Sequence, residues 1–392
     1  MKNRQFALLC GVGLFAFISY NLVRMPVLSL YALSLGAGPE AIGFIVSAST
    51  LTGVFLKWPA GALSDICDRR WLLLVGLLAF ALPPFFYQFV SDVTWLVVLR
   101  FAHGMATAVF APIALAVVAD LCREARGAAY GSYTAATQAG AMLGPVLGGW
   151  LVVSAGFSAA FLTAGILGSI AVLLFLLMRL PPQVSRVALG SGPGAVMREM
   201  ARGARTVVGN LRVVVTSVTD GARQIANGAL MAFLPIYVVG IGMDAAQAGV
   251  LFGAQSVTSF FSRPIMGRAS DRIGRRPLIL LGLVVCAVSL AAIPFTRPFG
   301  WLLLLSALFG FGEAVVNASA AALVADLSEL KTLGSAMGMQ GTIMDIGHAS
   351  GPILAGLLIG AFGFQTAYSI IAGLVLLAAG AFRFGMRLSR AA

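Results

Sequence analysis

Apolar runs of eighteen or more residues recur along the whole of this 392-residue chain. A run of that length crosses a bilayer as one helix. Lipid offers no partner to a bare N–H or C=O, so a spanning segment must bond its backbone internally. Hydrophobic residues make up 59% of the chain and charged ones only 10%, against about a quarter charged in soluble domains. The expected class is therefore an all-α polytopic membrane protein.

Twelve spans are expected. The first six cover roughly 6–34, 41–60, 71–90, 94–120, 127–153 and 156–178. The last six cover roughly 211–240, 245–262, 277–294, 300–326, 333–360 and 363–384. Residues 1–178 and 211–392 then form two six-helix halves, joined by a cytoplasmic linker at 179–210. That linker holds Pro181-Pro182, a Gly190–Gly194 stretch and a short amphipathic segment near Met197–Arg205 that suits a membrane surface. Lys2 and Arg4 precede an apolar stretch too long for a cleavable signal, so the first span is retained. Cys10, Cys67, Cys122 and Cys286 show no metal-ligand spacing and read as reduced thiols.

Loop charge sets the expected orientation. One set of loops gathers Lys2, Arg4, Arg69, Arg70, Arg123, Arg126, Arg268, Arg272, Arg275, Arg276, Lys331, Arg387, Arg390 and the linker arginines. The other set has Arg297 with Glu40, Asp92 and Asp244. Both termini are expected in the cytoplasm. The net charge of +12 is thus a topology signal, and no nucleic-acid partner is implied.

The two halves repeat. Gly61-Ala62-Leu63-Ser64-Asp65-Ile66-Cys67-Asp68-Arg69-Arg70 returns as Gly267-Arg268-Ala269-Ser270-Asp271-Arg272-Ile273-Gly274-Arg275-Arg276. Both are read as tight basic loops between spans. At the same offset of 206, Gly43 pairs with Gly249, Lys57 with Arg263, Gly104 with Gly310, and Asp120-Leu121 with Asp326-Leu327. One residue further, Gly144-Pro145 pairs with Gly351-Pro352. Six spans followed by six of the same sense make a parallel repeat.

The G-x-x-S-D-x-x-x-R-R pattern resembles the loops between helices 2 and 3, and 8 and 9, of the major facilitator superfamily (MFS). The first copy departs from it, with Ile66 where a basic residue is usual and Asp68 where Gly is usual. The Gly140–Gly149 stretch of span 5 resembles the helix-5 signature of antiporters in that superfamily, and Gly347, Gly351-Pro352 and Gly356 echo it in span 11. Arg100 four residues before Gly104 resembles the helix-4 pattern tied to proton coupling in related exporters. The resemblance implies two six-helix bundles about a central cavity. It also implies gating by Asp65, Arg69, Arg70, Asp271, Arg275, Arg276, Gly144 and Pro145.

Polar residues inside spans are costly in lipid and read as functional. Span 1 has Asn21 and Arg24; span 4 has Arg100 and His103; span 7 has Asp220, Arg223 and Asn227; span 10 has Glu313 and Asn317; span 11 has Asp345 and His348. The resemblance implies that spans 1, 4, 7, 10 and 11 line the central cavity, which makes these the expected cavity residues. Asp220 and Arg223, three apart on one helix face, suit an internal pair. Glu313 and Asp345 lie about a dozen residues from their helix ends, near mid-membrane by helix rise, and are expected to be the deepest acids. With Arg100 they are the candidates for proton coupling.

The expected function is a secondary transporter, a proton-coupled exporter of a small organic molecule, acting as a monomer in a cell membrane such as a bacterial inner membrane. Two other readings stay open: import of a polar or zwitterionic solute with protons, and translocation of a lipid or lysolipid. An enzyme is not expected. The chain has no H-E-x-x-H, no G-x-S-x-G and no G-x-x-x-x-G-K-[ST] loop for a nucleotide. No cofactor or metal is implied.

Overall fold

The computed structural model describes residues 2–66, 68–122, 125–180, 210–329 and 332–388, with the backbone alone at 2, 3, 58, 59, 61–66, 387 and 388. The linker body with its amphipathic segment, and Cys67, Arg123, Lys331 and Arg390, lie outside the described residues. So do the side chains of Asp65 and Arg387.

The described residues are helical nearly throughout. In order they form α1 (Lys2–Leu22), α2 (Leu28–Ser34), α3 (Pro39–Ile66), α4 (Arg69–Tyr87), α5 (Val93–Leu121), α6 (Arg126–Leu176), α7 (Leu211–Gly240), α8 (Ala245–Ile273), α9 (Arg275–Ala292), α10 (Phe299–Asp326) and α11 (Leu333–Leu388). Span 1 is not one helix. A π-turn at Val23–Val27 separates α1 from α2, and Met25 within it has extended backbone. Pro26 lacks the N–H that a continuous helix would need there.

Nine of these helices are long and apolar enough to cross a membrane. Two of the nine, α6 and α11, turn back at Gly156 (φ +83°) and Gly363 (φ +77°), so each makes two crossings. The turn needs a left-handed residue, which only glycine adopts cheaply. The last crossing is α8, which is long enough but too polar to join the nine, with Gln247, Gln255, Ser259, Ser262 and Arg263 along it. Its start is fixed by a reciprocal cap: Gln247 N–H donates to Asp244 Oδ1 at 2.8 Å, and Asp244 N–H to Gln247 Oε1 at 3.0 Å. Twelve crossings result among the described residues.

The duplicated motifs are mostly helix, which corrects the loop reading. α3 runs on to Ile66 and α8 to Ile273. Only residues 67–68 and Gly274 separate them from the helices that follow. The two turns also differ. Gly274 takes φ +103°, whereas Asp68 keeps φ −60° and caps α4 by accepting from the Arg70 N–H at 2.8 Å. The Asp68-for-Gly departure is thus a change of turn chemistry, with a side-chain cap replacing a left-handed glycine.

The chain divides into two compact units. The first comprises Met1–Ala37, Phe44–Gly192 and Val238–Val250; the second comprises Gly38–Gly43, Pro193–Tyr237 and Leu251–Ala392. In the first, α1 packs chiefly on α6. A Cβ at Gly140 would strike the Leu14 carbonyl at 2.6 Å, and one at Gly144 the Asn21 Cβ and Leu22 N at 2.8 Å. In the second, Gly347 and Gly351 sit as close to the Gly221 and Ile225 carbonyls of α7. Lipid tails give helices no hydrophobic reason to associate, so close backbone packing at small residues takes that role. The same geometry in both units displays the repeat in three dimensions.

Candidate functional site

The second unit buries a polar network. Asp220 and Arg223, three residues apart on α7, are 1% and 0% exposed at their side chains. Arg223 donates to Asp220 Oδ1 from Nε (2.9 Å) and Nη2 (2.8 Å), and from Nη2 to Asn317 Oδ1 of α10 (2.9 Å). Gln340 of α11 donates to Asp220 Oδ2 at 3.3 Å. Three helices are thereby tied through one carboxylate and one guanidinium. A buried ion pair holds only when its remaining donors and acceptors are satisfied; here Nη1 of Arg223 alone lacks a partner.

A more accessible group lies beside it. The Glu313 carboxylate, 16% exposed, stands 3.9 Å from Arg263 Nη2 of α8. That nitrogen's hydrogen bond goes to Ser259 Oγ at 3.3 Å, so Glu313 is held by charge without a hydrogen bond from Arg263. Next come three amides. Asn227 donates to Gln224 Oε1 and accepts from Gln255 Nε2, both at 3.3 Å, and Gln255 Oε1 is buried without a donor. Asp345 and His348 are each half-buried and each has an interaction partner.

The first unit carries cations and aromatics. Arg100, two turns into α5, is fully buried and therefore does not reach for the membrane surface. Its guanidinium lies 5.3 Å from the centre of the Tyr20 ring, and that of Arg24 lies 5.7 Å away. His103, also fully buried, meets Tyr20 edge-to-face at 4.9 Å and shares a 3.2 Å hydrogen bond with Tyr87 Oη through Nδ1. Such cation–π contacts are worth about 0.5–2 kcal/mol, more when desolvated. Asn21 only donates to its own helix, at the Phe17 carbonyl (2.8 Å).

At the arginine-rich helix ends the repeat yields the same ion pair twice. Arg69 pairs with Asp120, and Arg275 with Asp326 at 3.1 Å. Arg275 also pairs with Asp271 and donates to Ser270 Oγ (3.1 Å), while Arg276 donates to the Met386 carbonyl (3.2 Å). Arg70 contributes its backbone N–H to the α4 cap. Pro145 follows Gly144 in α6, and its carbonyl is what a Cβ at Gly249 of α8 would strike.

Burial corrects one expectation. Among the described residues Glu313 and Asp345 are not the most buried acids; Asp220 is. Helix rise measures depth along the membrane, whereas burial depends on which face meets a neighbour. Sequence reasoning also missed Gln340, Gln255, Gln224, Tyr20 and Tyr87 as cluster members. Their signal was present, since each is a polar or amphipathic side chain within an apolar run. Arg263 was noted only as the repeat partner of Lys57.

Comparison with known proteins agrees with this architecture. Residues 9–220 and 221–391 match the family description Major Facilitator Superfamily. Multidrug resistance protein MdtG of Salmonella typhimurium is 27% identical over 376 residues, covering 91% of this chain and 89% of MdtG. An MFS-type transporter of Methanocaldococcus jannaschii is 21% identical over 379 residues, covering 94% of each. Among solved structures, the nucleoside transporter NupG superposes with TM-score 0.82 at 16% identity, over 96% of this chain and 99% of NupG. A bacterial homologue of the human lysosomal transporter Spinster gives 0.83 at 13%, over 98% and 97%. At such identities the two structures speak to the fold alone.

Proposed function

The chain belongs to the major facilitator superfamily, a multi-pass membrane transporter of a small molecule and not an enzyme, and from that premise we propose that it exports a small organic molecule in exchange for protons. The export direction is supported by the likeness to a multidrug resistance protein and by the antiporter-like glycine row of span 5. The carrying observation for exchange is the contrast between two carboxylates. Asp220 receives three hydrogen bonds, two of them from Arg223, so both of its oxygens are engaged. Glu313 meets Arg263 only at 3.9 Å and is open to a proton or to a substrate's donor group. Two ligands competing for one carboxylate is the least that exchange requires. Asp345 is the second candidate, and Arg100 beside His103 the third.

Neutralising the carrier tests this. In liposomes with an imposed pH gradient, Glu313→Gln should reduce accumulation to the protein-free background while sparing substrate exchange; Asp345→Asn should do so less completely. The substrate is first found by thermal-shift screening, because a ligand of the folded state raises its apparent stability. Full accumulation in both variants would remove both residues from the coupling role. The amides Gln224, Asn227, Gln255 and Asn317 favour a polar solute among the alternatives. If only amphiphiles stabilise the protein, the lipid reading replaces it.

In this reading residues 1–178 and 211–392 act as the two halves, and 179–210 connects them on the cytoplasmic face. The matched pairs Arg69–Asp120 and Arg275–Asp326 brace the helix ends there, and with Asp65, Asp271, Arg70, Arg276, Gly144 and Pro145 they form the gating set. Cysteines introduced at Gly38 or Asp244, with the native four replaced, should label from outside the cell. Cysteines at Ser191 or Ala391 should be protected, and outside labelling at Ser191 would overturn the orientation.

A further inference from the structure

A groove of about 550 Å³ opens at the arginine-rich end of the second unit. Ile273, Gly274 and the first turn of α9 form one wall, and Arg383 and Met386 near the end of α11 form the other. Leu280, Leu323 and Phe382 complete the lining, with Leu323, Phe382 and Met386 themselves buried. Its arginines are unequally engaged. Arg275 is neutralised by Asp271 and Asp326, and Arg276 is tied to the Met386 carbonyl. Arg383 is exposed and makes no ion pair or hydrogen bond among the described residues. No side chain caps the start of α9, an 18-residue helix whose first N–H groups add positive potential at the same place. On the same segments Ile273 and Phe384 are each 64% exposed and Leu281, next to Leu280, is 48% exposed, apolar side chains of the kind that meet acyl chains. The cationic groove therefore adjoins exposed apolar side chains at the ends of two helices long and apolar enough to cross a membrane.

We propose that this groove binds an anionic membrane phospholipid, its phosphate held by Arg383 with Arg276 and the α9 N-terminus, and its acyl chain lying along the exposed side chains of Ile273, Leu281 and Phe384. A free phosphate would leave most of the volume empty and the exposed apolar side chains uncovered. A zwitterionic lipid would bring a cationic headgroup toward Arg383. The proposal concerns binding and does not depend on the transport direction or the coupling ion.

Phosphatidylglycerol and phosphatidylcholine, mixed equally in micelles with the purified protein, provide the probes, and native mass spectrometry counts the lipids retained. One basic residue near an anionic surface is worth about 1 kcal/mol, about fivefold in affinity. Phosphatidylglycerol should be retained at least about fivefold over phosphatidylcholine. Arg383→Gln should lose about that factor, Arg383→Lys should keep most of it, and Arg297→Gln at the opposite membrane face should change nothing. Arg383 forms no bond to a described residue, so its replacement leaves the fold intact, and a thermal-shift control confirms this. Equal retention of the two lipids, or unchanged retention in Arg383→Gln, overturns the proposal. So does displacement of the lipid by inorganic phosphate at equal concentration, which would make this a free-phosphate site.

Discussion

Asp220→Asn should destabilise the protein by about 3–5 kcal/mol, because it strands the Arg223 charge where no water reaches it. Arg223 is fully buried, and its acceptors would then be two neutral amide oxygens, those of Asn317 and of the introduced asparagine, with no carboxylate bonded to it. Arg223→Gln should cost a similar amount by stranding Asp220, which would keep only Gln340. The double replacement should recover most of the loss, since two amides carry no net charge and can bond to each other and to Asn317 and Gln340. At about 2–4 °C per kcal/mol, each single variant should melt roughly 10 °C lower in detergent. The non-additivity is the diagnostic: removing one member of a buried pair exposes the desolvation penalty that the other had offset. Additive losses in the double variant would mean that Asp220 and Arg223 act separately.

The glycine rows give the second large effect. Gly144→Val and Gly351→Val should each cost upward of about 1–3 kcal/mol, the usual range for overpacking. The atoms in the way are backbone, Leu22 N for the first and the Ile225 carbonyl and Ala229 N for the second. A rigid neighbour cannot swing aside as a flexible side chain would. The control lies on the same helices. Gly131 and Gly338, also 207 residues apart, are exposed, and a Cβ added at either would meet nothing within 4 Å. Gly131→Ala and Gly338→Ala should be neutral or gain about 0.4–1 kcal/mol from the lower entropy of the unfolded chain. The yield of monodisperse protein and its melting temperature decide the matter. Equal behaviour of packed and open glycines would show that the rows do not hold α1 to α6 or α7 to α11.

Sequence and structure part company at identifiable residues. Apolar run length placed twelve crossings, close to the observed helices except where α3 and α8 run on past the expected ends at 60 and 262, because insertion into lipid is a local property of each segment. The repeat was visible for a similar reason: Gly144-Pro145 and Gly351-Pro352 are matched by identity alone, and the backbone contacts they permit follow from small side chains. The same local logic failed at the duplicated motif, since polar residues next to an apolar run read as loop. A helix beyond the bilayer needs no apolar side chains, only capped ends and partners such as Asp271 with Arg275.

Pairing among the buried polar residues was out of reach of any such pattern. That Asp220 and Arg223 share a face is a matter of helical periodicity, but the Asn317 and Gln340 bonds join residues 94 and 120 positions away. Helix rotation and register decide those partners, and both arise from packing between segments distant in the chain. For the same reason Glu313 faces Arg263 while Asp220 is the more buried, and the Tyr20 ring lies against Arg100 and His103. Which residues a membrane protein of this kind must bury is written in its hydropathy. Which of them meet is set by how closely the glycines let the helices come together.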